Sequence, residues 1–173
     1  MKTFRYILLL ILSLPAATLM QAQLTPMPDS LIEKEAIKAL YFEDTKLSSS
    51  NTFGFSYINH AKNEGSVSFF IEYRHSHNKA IMDDEFIEQW YFMMPAGTKK
   101  SFEINCGVPN SLKTNVVTYC KLCYCVDAGC HPADGDWGIK GRKKGKKWRI
   151  EISHGSKIYN FSAVREKFEN FPK

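Results

Sequence analysis

Apolar and polar residues alternate at every second position along most of this chain, and short clusters of turn formers interrupt the pattern. That period belongs to strands with one buried face rather than to helices, so a mainly β fold is the first constraint. Phe53, Phe55 and Tyr57 open the series. In residues 66–74 Val67, Phe69, Ile71 and Tyr73 share a face, and in 86–94 Phe86, Trp90 and Phe92 do. Phe102, Ile104 and Cys106 continue it over 99–106, then Val116, Cys120, Leu122, Tyr124 and Val126 over 116–126. A meander closes the chain. It has a short strand at 137–140, then Trp148, Ile150 and Ile152, a His154-Gly155-Ser156 turn and a return over 157–161. Residues 47–51 (LSSSN), 59–65 (NHAKNEG) and 95–98 (PAGT) read as loop and turn.

Helical signals are few. Ser30 and Glu33 have capping-box spacing, and Ile32, Ala36, Ile37 and Leu40 recur at helical intervals, which predicts a helix over about 31–40 with a first strand as the alternative. Ser162 is placed to cap a last short helix carrying Val164, Phe168 and Phe171. The expected fold is therefore mainly β: an antiparallel β-sandwich, immunoglobulin-like, with one or two short peripheral helices. The pattern over roughly residues 50–126 resembles immunoglobulin-like modules of bacterial surface proteins, although the Cys…Trp…Cys spacing of antibody domains is absent.

Residues 1–22 have a different character. Lys2 and Arg5 precede a short apolar run from Tyr6 to Leu14, Pro15 ends it, and Ala22 offers a cleavage site before Gln23. This is the layout of a secretory signal peptide, and the run is well short of the roughly 20 residues a membrane helix needs. Removal leaves residues 23–173 as a single domain with no membrane span, exported to the periplasm or beyond. The net charge of +5 then falls to +3, because Lys2 and Arg5 leave. Seven of the ten residues 140–149 are Lys or Arg, so the remainder of the mature chain is mildly acidic.

Cys106, Cys120, Cys123, Cys125 and Cys130 crowd into one stretch, an odd number in a compartment where thiols oxidise. Disulfides are the first expectation. Cys125 can close locally on Cys130 across a small turn, and Cys106 can cross to Cys120 or Cys123. No cofactor is expected. The alternative is zinc on Cys120, Cys123, Cys125, Cys130 and His131, but only Cys120 and Cys123 have knuckle spacing, and a regular strand aims them apart. Cys125 to His131 is two residues too long for a c-type haem attachment. Cys120-Lys-Leu-Cys123 lacks the helix N-terminus that thioredoxin-like chemistry uses.

Lys140, Arg142, Lys143, Lys144, Lys146, Lys147 and Arg149 form the second unusual region. Such a run reads either as a solvated hairpin tip that keeps a sheet edge from pairing, or as an anion contact. Trp137 and Trp148 flank it, as stacking platforms for a sugar or as core. His75 and His77 form a surface pair, Asp83-Asp84-Glu85 an acidic turn, and Asp134-Gly135-Asp136 a calcium-loop fragment without the terminal Glu. No nucleophile elbow, phosphate loop or dinucleotide fingerprint is present. The expected function is a non-enzymatic binding or structural module of the bacterial cell envelope, with another envelope protein or an anionic glycan as partner rather than nucleic acid. The two alternatives are a metal- or redox-active protein using the cysteine cluster and an anion binder using the basic loop.

Overall fold

A computed structural model describes residues 32–52, 55–79, 81, 85–95, 97–107, 117–133 and 135–172. The expected signal segment, its Gln23 junction and residues Phe53, Asp83, Asp84 and Asp134 lie outside the described residues. The strands are β1 (Ile32–Glu33), β2 (Ala36–Thr52), β3 (Phe55–Arg74), β4 (His77–Asn78), β5 (Ile87–Met93), β6 (Ser101–Asn105), β7 (Val117–Leu122), β8 (Gly129–Pro132), β9 (Trp137–Lys144), β10 (Lys147–His154) and β11 (Lys157–Glu166). β1 pairs with β4. The other nine form one sheet in the order β6-β9-β10-β11-β2-β3-β5-β7-β8. Neighbours are antiparallel except β11 and β2, where Val164 lies opposite Leu40 in parallel. No helix among the described residues is long and apolar enough to cross a membrane.

The mainly β, antiparallel-rich character is as expected, but the two-sheet immunoglobulin-like sandwich is not what the topology shows. A single sheet curls into an open half-barrel and packs its inward face on itself. Phe102, Ile139, Trp148, Ile150 and Phe161 from one half meet Tyr41, Phe69, Ile71, Trp90 and Phe92 from the other. Phe69 touches Trp148 edge-on, with centroids 5.7 Å apart, and Trp90 reaches Phe161 at 5.6 Å. Gly141 is required here because the Phe102 ring covers it from the neighbouring strand, and a Cβ would collide with the ring.

A second, smaller core lies on the opposite face of β2, β3, β5 and β7, where Leu40, Phe42, Phe70, Tyr91 and Cys120 gather around Leu47 and Phe171. Its cover is the outer arm of the β2–β3 hairpin. Glu43 faces Val67 but Thr45 faces Lys62, so the register jumps at Asp44. Asp44 adopts a left-handed φ of 55°, and its carboxylate accepts a hydrogen bond from the Gly65 N–H at 2.9 Å. The arm swings over the sheet, and the Leu47 N–H reaches Met93 Sδ at 3.2 Å.

These two cores and the strand pairing account for other departures. Residues 36–40 are strand rather than helix, and the LSSSN segment continues that strand. Ala39 and Tyr41 face the first core while Leu40 and Phe42 face the second, so a doubly buried strand reads as an apolar run with no clean period of two. Of the expected 59–65 turn, Asn59 to Lys62 are paired with β2. The helix expected after Ser162 is β11, which continues through Glu166 because it pairs with β2; only a 3-10 turn at Phe168–Asn170 follows. The strand expected over 116–126 ends at Leu122, and Cys123 to Asp127 bend and turn.

Candidate functional site

The β9–β10 hairpin turns at Gly145 and Lys146, and Gly145 supplies the φ of +62° that such a tight turn demands. Register then sorts the basic side chains. Lys140, Arg142, Lys144, Lys147 and Arg149 are exposed on the outward face of the sheet. Lys143 falls on the inward face, where its Nζ lies 5.9 Å from the centroid of the Trp148 ring. Lys146 sits in the turn, and its carbonyl accepts the Tyr41 hydroxyl hydrogen bond at 3.1 Å. Trp137 and Trp148 are buried on the inward face. They are core residues, so the stacking role considered for them is removed.

Two transverse rows cross four strands on the outward face. Ser101, Arg142, Arg149 and Ser162 stand opposite one another in the first, and Glu103, Lys140, Glu151 and Asn160 in the second. Side chains so paired have Cβ atoms about 4.5–5.5 Å apart. The second row mixes signs, two carboxylates to one ammonium, with Lys140 Nζ 3.7 Å from a Glu103 carboxylate oxygen. The first does not. Two guanidinium groups face each other between two hydroxyls, and neither makes an ion pair or hydrogen bond among the described residues. Like charges directly opposite oppose sheet formation. Both rows line an open groove of about 910 Å³. With Lys144 opposite Lys147 as the next pair, unbroken positive charge covers two rows of β9 and β10, about 7 Å apart.

The cysteines divide into two bridges. Cys120 and Cys130 are directly opposite each other on β7 and β8, with Cα atoms 3.9 Å apart, and are disulfide-bonded. Cys123 is bonded to Cys125 in the bend after β7, with Cα atoms 5.3 Å apart. Neither pairing is among those favoured from spacing. The antiparallel register of β7 and β8 selects the first, and the end of β7 at Leu122 allows the second. Cys106 belongs to neither bridge and is buried in the first core. His131 lies opposite Tyr119 on β8. The ligand atoms that do converge, all within 4.8 Å of one another, belong to Cys123, Cys125 and Asp127. Lys121 Nζ holds the Asp127 carboxylate at 2.7 Å, and this hydrogen bond keeps the Asp127 pKa low.

A third polar cluster has no counterpart in the sequence reading. Glu88 lies on the inward face, two residues before Trp90, and is only 4% exposed. Its carboxylate accepts hydrogen bonds from the Tyr119 hydroxyl at 2.9 Å and the Tyr159 hydroxyl at 3.2 Å, and His75 Nε2 lies at 2.8 Å. Tyr73 beside them donates to Glu35 at 2.7 Å. Burial and then the Glu88 charge push the Tyr119 pKa far up and that of Tyr159 up to about 12. The phenols therefore stay neutral donors. The only hint in the sequence was Glu88 at an inward alternation position between Phe86 and Trp90. Both Glu88 oxygens are engaged, so the cluster ties β3, β5, β7 and β11 together rather than offering a reactive group. The expected His75–His77 surface pair is broken up, since His75 serves Glu88 and His77 pairs with Glu33 in the β1–β4 ladder. The chain matches no protein-family model, no curated protein and no solved structure.

Proposed function

We propose that this chain is an exported, non-enzymatic binding module of the bacterial cell envelope, which holds an anionic glycan against the outward face of β6, β9, β10 and β11. The signal-like residues 1–22 and the two disulfides support the compartment. The observation that carries the binding assignment is the Arg142–Arg149 pair, placed side by side between Ser101 and Ser162 with no internal anion. Two guanidinium forks in one row suit a planar or tetrahedral oxyanion, and flanking hydroxyls complete its hydrogen bonding. The lysines along the same strands extend the contact to neighbouring charges of a linear polymer.

A sulfated-polysaccharide column tests this. The Arg142→Ala/Arg149→Ala variant is expected to elute at clearly lower salt than the parent chain, because polyanion binding by such a stripe is mainly electrostatic. Elution at the parent's salt concentration by a folded variant would reject the assignment.

A further inference from the structure

The Cys123–Cys125 bridge encloses a single residue, Tyr124. In the chain-entropy account, the stabilisation from a cross-link grows with the length of the loop it closes, so this bridge contributes least to holding the fold. It joins no two strands. It is also the more accessible bridge: Cys123 and Cys125 are both half-buried, whereas in the other bridge Cys130 is half-buried and Cys120 fully buried.

Its surroundings have the form of a docking point. Leu122 is 39% exposed, Tyr124 is 83% exposed and Val126 is fully exposed, and these three alternate with the two cysteines. Cys123 lines an open groove of about 320 Å³ beside Leu122, Tyr124 and Ile87, with Glu85 and Lys121 at its polar side, and Cys125 does not line it. The Lys121 ammonium, 2.7 Å from Asp127, offsets part of the carboxylate charge that stands beside both sulfurs.

The geometry points to Cys123–Cys125 as a thiol–disulfide exchange site that reacts with a dithiol in an apolar, extended segment of another exported protein. A partner thiolate enters the groove and attacks Cys123 Sγ. The Cys123–Cys125 bond breaks, and its electron pair leaves on Cys125 Sγ, which takes a proton from water. The partner's second thiolate then attacks its own sulfur in the mixed disulfide and expels Cys123 as a thiolate, which also takes a proton from water, the two protons matching those the partner's thiols lost to water on ionising. The net result is a partner dithiol oxidised to a disulfide and this bridge reduced to two thiols, with two electrons and two protons transferred. Cys120–Cys130 takes no part.

Glutathione redox titration of the folded chain, followed by alkylation and intact-mass measurement, reads both bridges together. Cys123–Cys125 is expected to open at a lower reduced-to-oxidised ratio than Cys120–Cys130, with the β-sheet circular dichroism unchanged. If both bridges open only together on unfolding, or if Cys123 and Cys125 are isolated as thiols that hold zinc, the proposal is overturned. A peptide with a single cysteine, activated as its thionitrobenzoate mixed disulfide, supplies the second measurement. The Cys125→Ser variant, which keeps Cys123, should form a lasting mixed disulfide with it several times faster than the Cys123→Ser variant does. Equal rates would overturn the assignment of Cys123 as the attacked sulfur.

Discussion

Glu88 and the Arg142–Arg149 pair are both concentrations of charge on strands of one sheet, and they are resolved in opposite ways. Glu88 is buried, and three polar side chains from three other segments converge on its two oxygens. The arginines are exposed, face each other, and receive no internal counter-ion among the described residues. A charge whose partners are supplied by the fold is part of the fold, because removing one member leaves the others buried and unpaired. A charge whose partners are not supplied costs the fold something and is available to a ligand. The difference sets a structural cluster apart from the face proposed to bind.

The largest expected effect tests the structural side. Glu88→Ala leaves Tyr119, Tyr159 and His75 without their acceptor, and should cost about 3 kcal/mol or more in denaturant unfolding. Glu88→Gln should cost less, since one oxygen remains an acceptor. A loss under about 0.5 kcal/mol for the alanine variant, the range of ordinary surface changes, would place Glu88 outside the fold's essential contacts.

Alkaline titration is the next sharpest test. The Tyr159 pKa is raised in the folded state to about 12 from an ordinary 10, and that of Tyr119 is raised further. Stability from these groups is fully present below pH 10. Above it the unfolded chain releases phenolic protons that the folded chain keeps, so stability falls as pH rises through the folded values. Phenolate absorbance should lag behind that of the denatured chain over this window and then rise together with unfolding. Coincident titration curves for native and denatured protein would contradict the burial of these hydroxyls beside Glu88.

Charge removal on the outward face should act in the opposite sense. Arg142→Ala/Arg149→Ala should leave the melting temperature unchanged or slightly higher, since it removes a like-charge opposition, while polyanion retention drops. A marked loss of stability would mean that the fold does use these guanidinium groups.

The smallest effect belongs to the hairpin tip. Lys144→Ser/Lys146→Ser should change stability by within about 0.5 kcal/mol and weaken polyanion retention less than the arginine variant does. Equal loss from both variants would make the whole segment a diffuse electrostatic patch instead of a row with a centre at Arg142 and Arg149.

Much of this molecule was legible in residue order. The strands around Phe102 and Ile150 bury one face, and alternation located them; those around Phe69 and Trp90 bury both faces and were located by their β-rich, aromatic composition. The basic segment was visible as composition, and cysteine oxidation followed from the expected compartment. β2 was misread at its start because Ala39 to Phe42 serve two cores, which erases the period that marks a half-buried strand, and at its end because exposed serines there read as loop. The cysteine pairing was not legible, since it depends on which residue of β8 the register sets opposite Cys120.

The sequence alone determined the mainly β character, the Gly155-Ser156 turn and the concentration of positive charge, because strand period, turn chemistry and charge are properties of neighbours along the chain. Only the tertiary structure decided that one sheet curls on itself, that Cys120 meets Cys130, that Arg142 faces Arg149 across a hairpin, and that Tyr119, Tyr159 and His75 close on Glu88. Each of these depends on strand register, and a shift of one residue would turn every side chain of a strand to the other face. Register is set by which buried surfaces fit together across the whole molecule, and no local stretch of sequence contains that information.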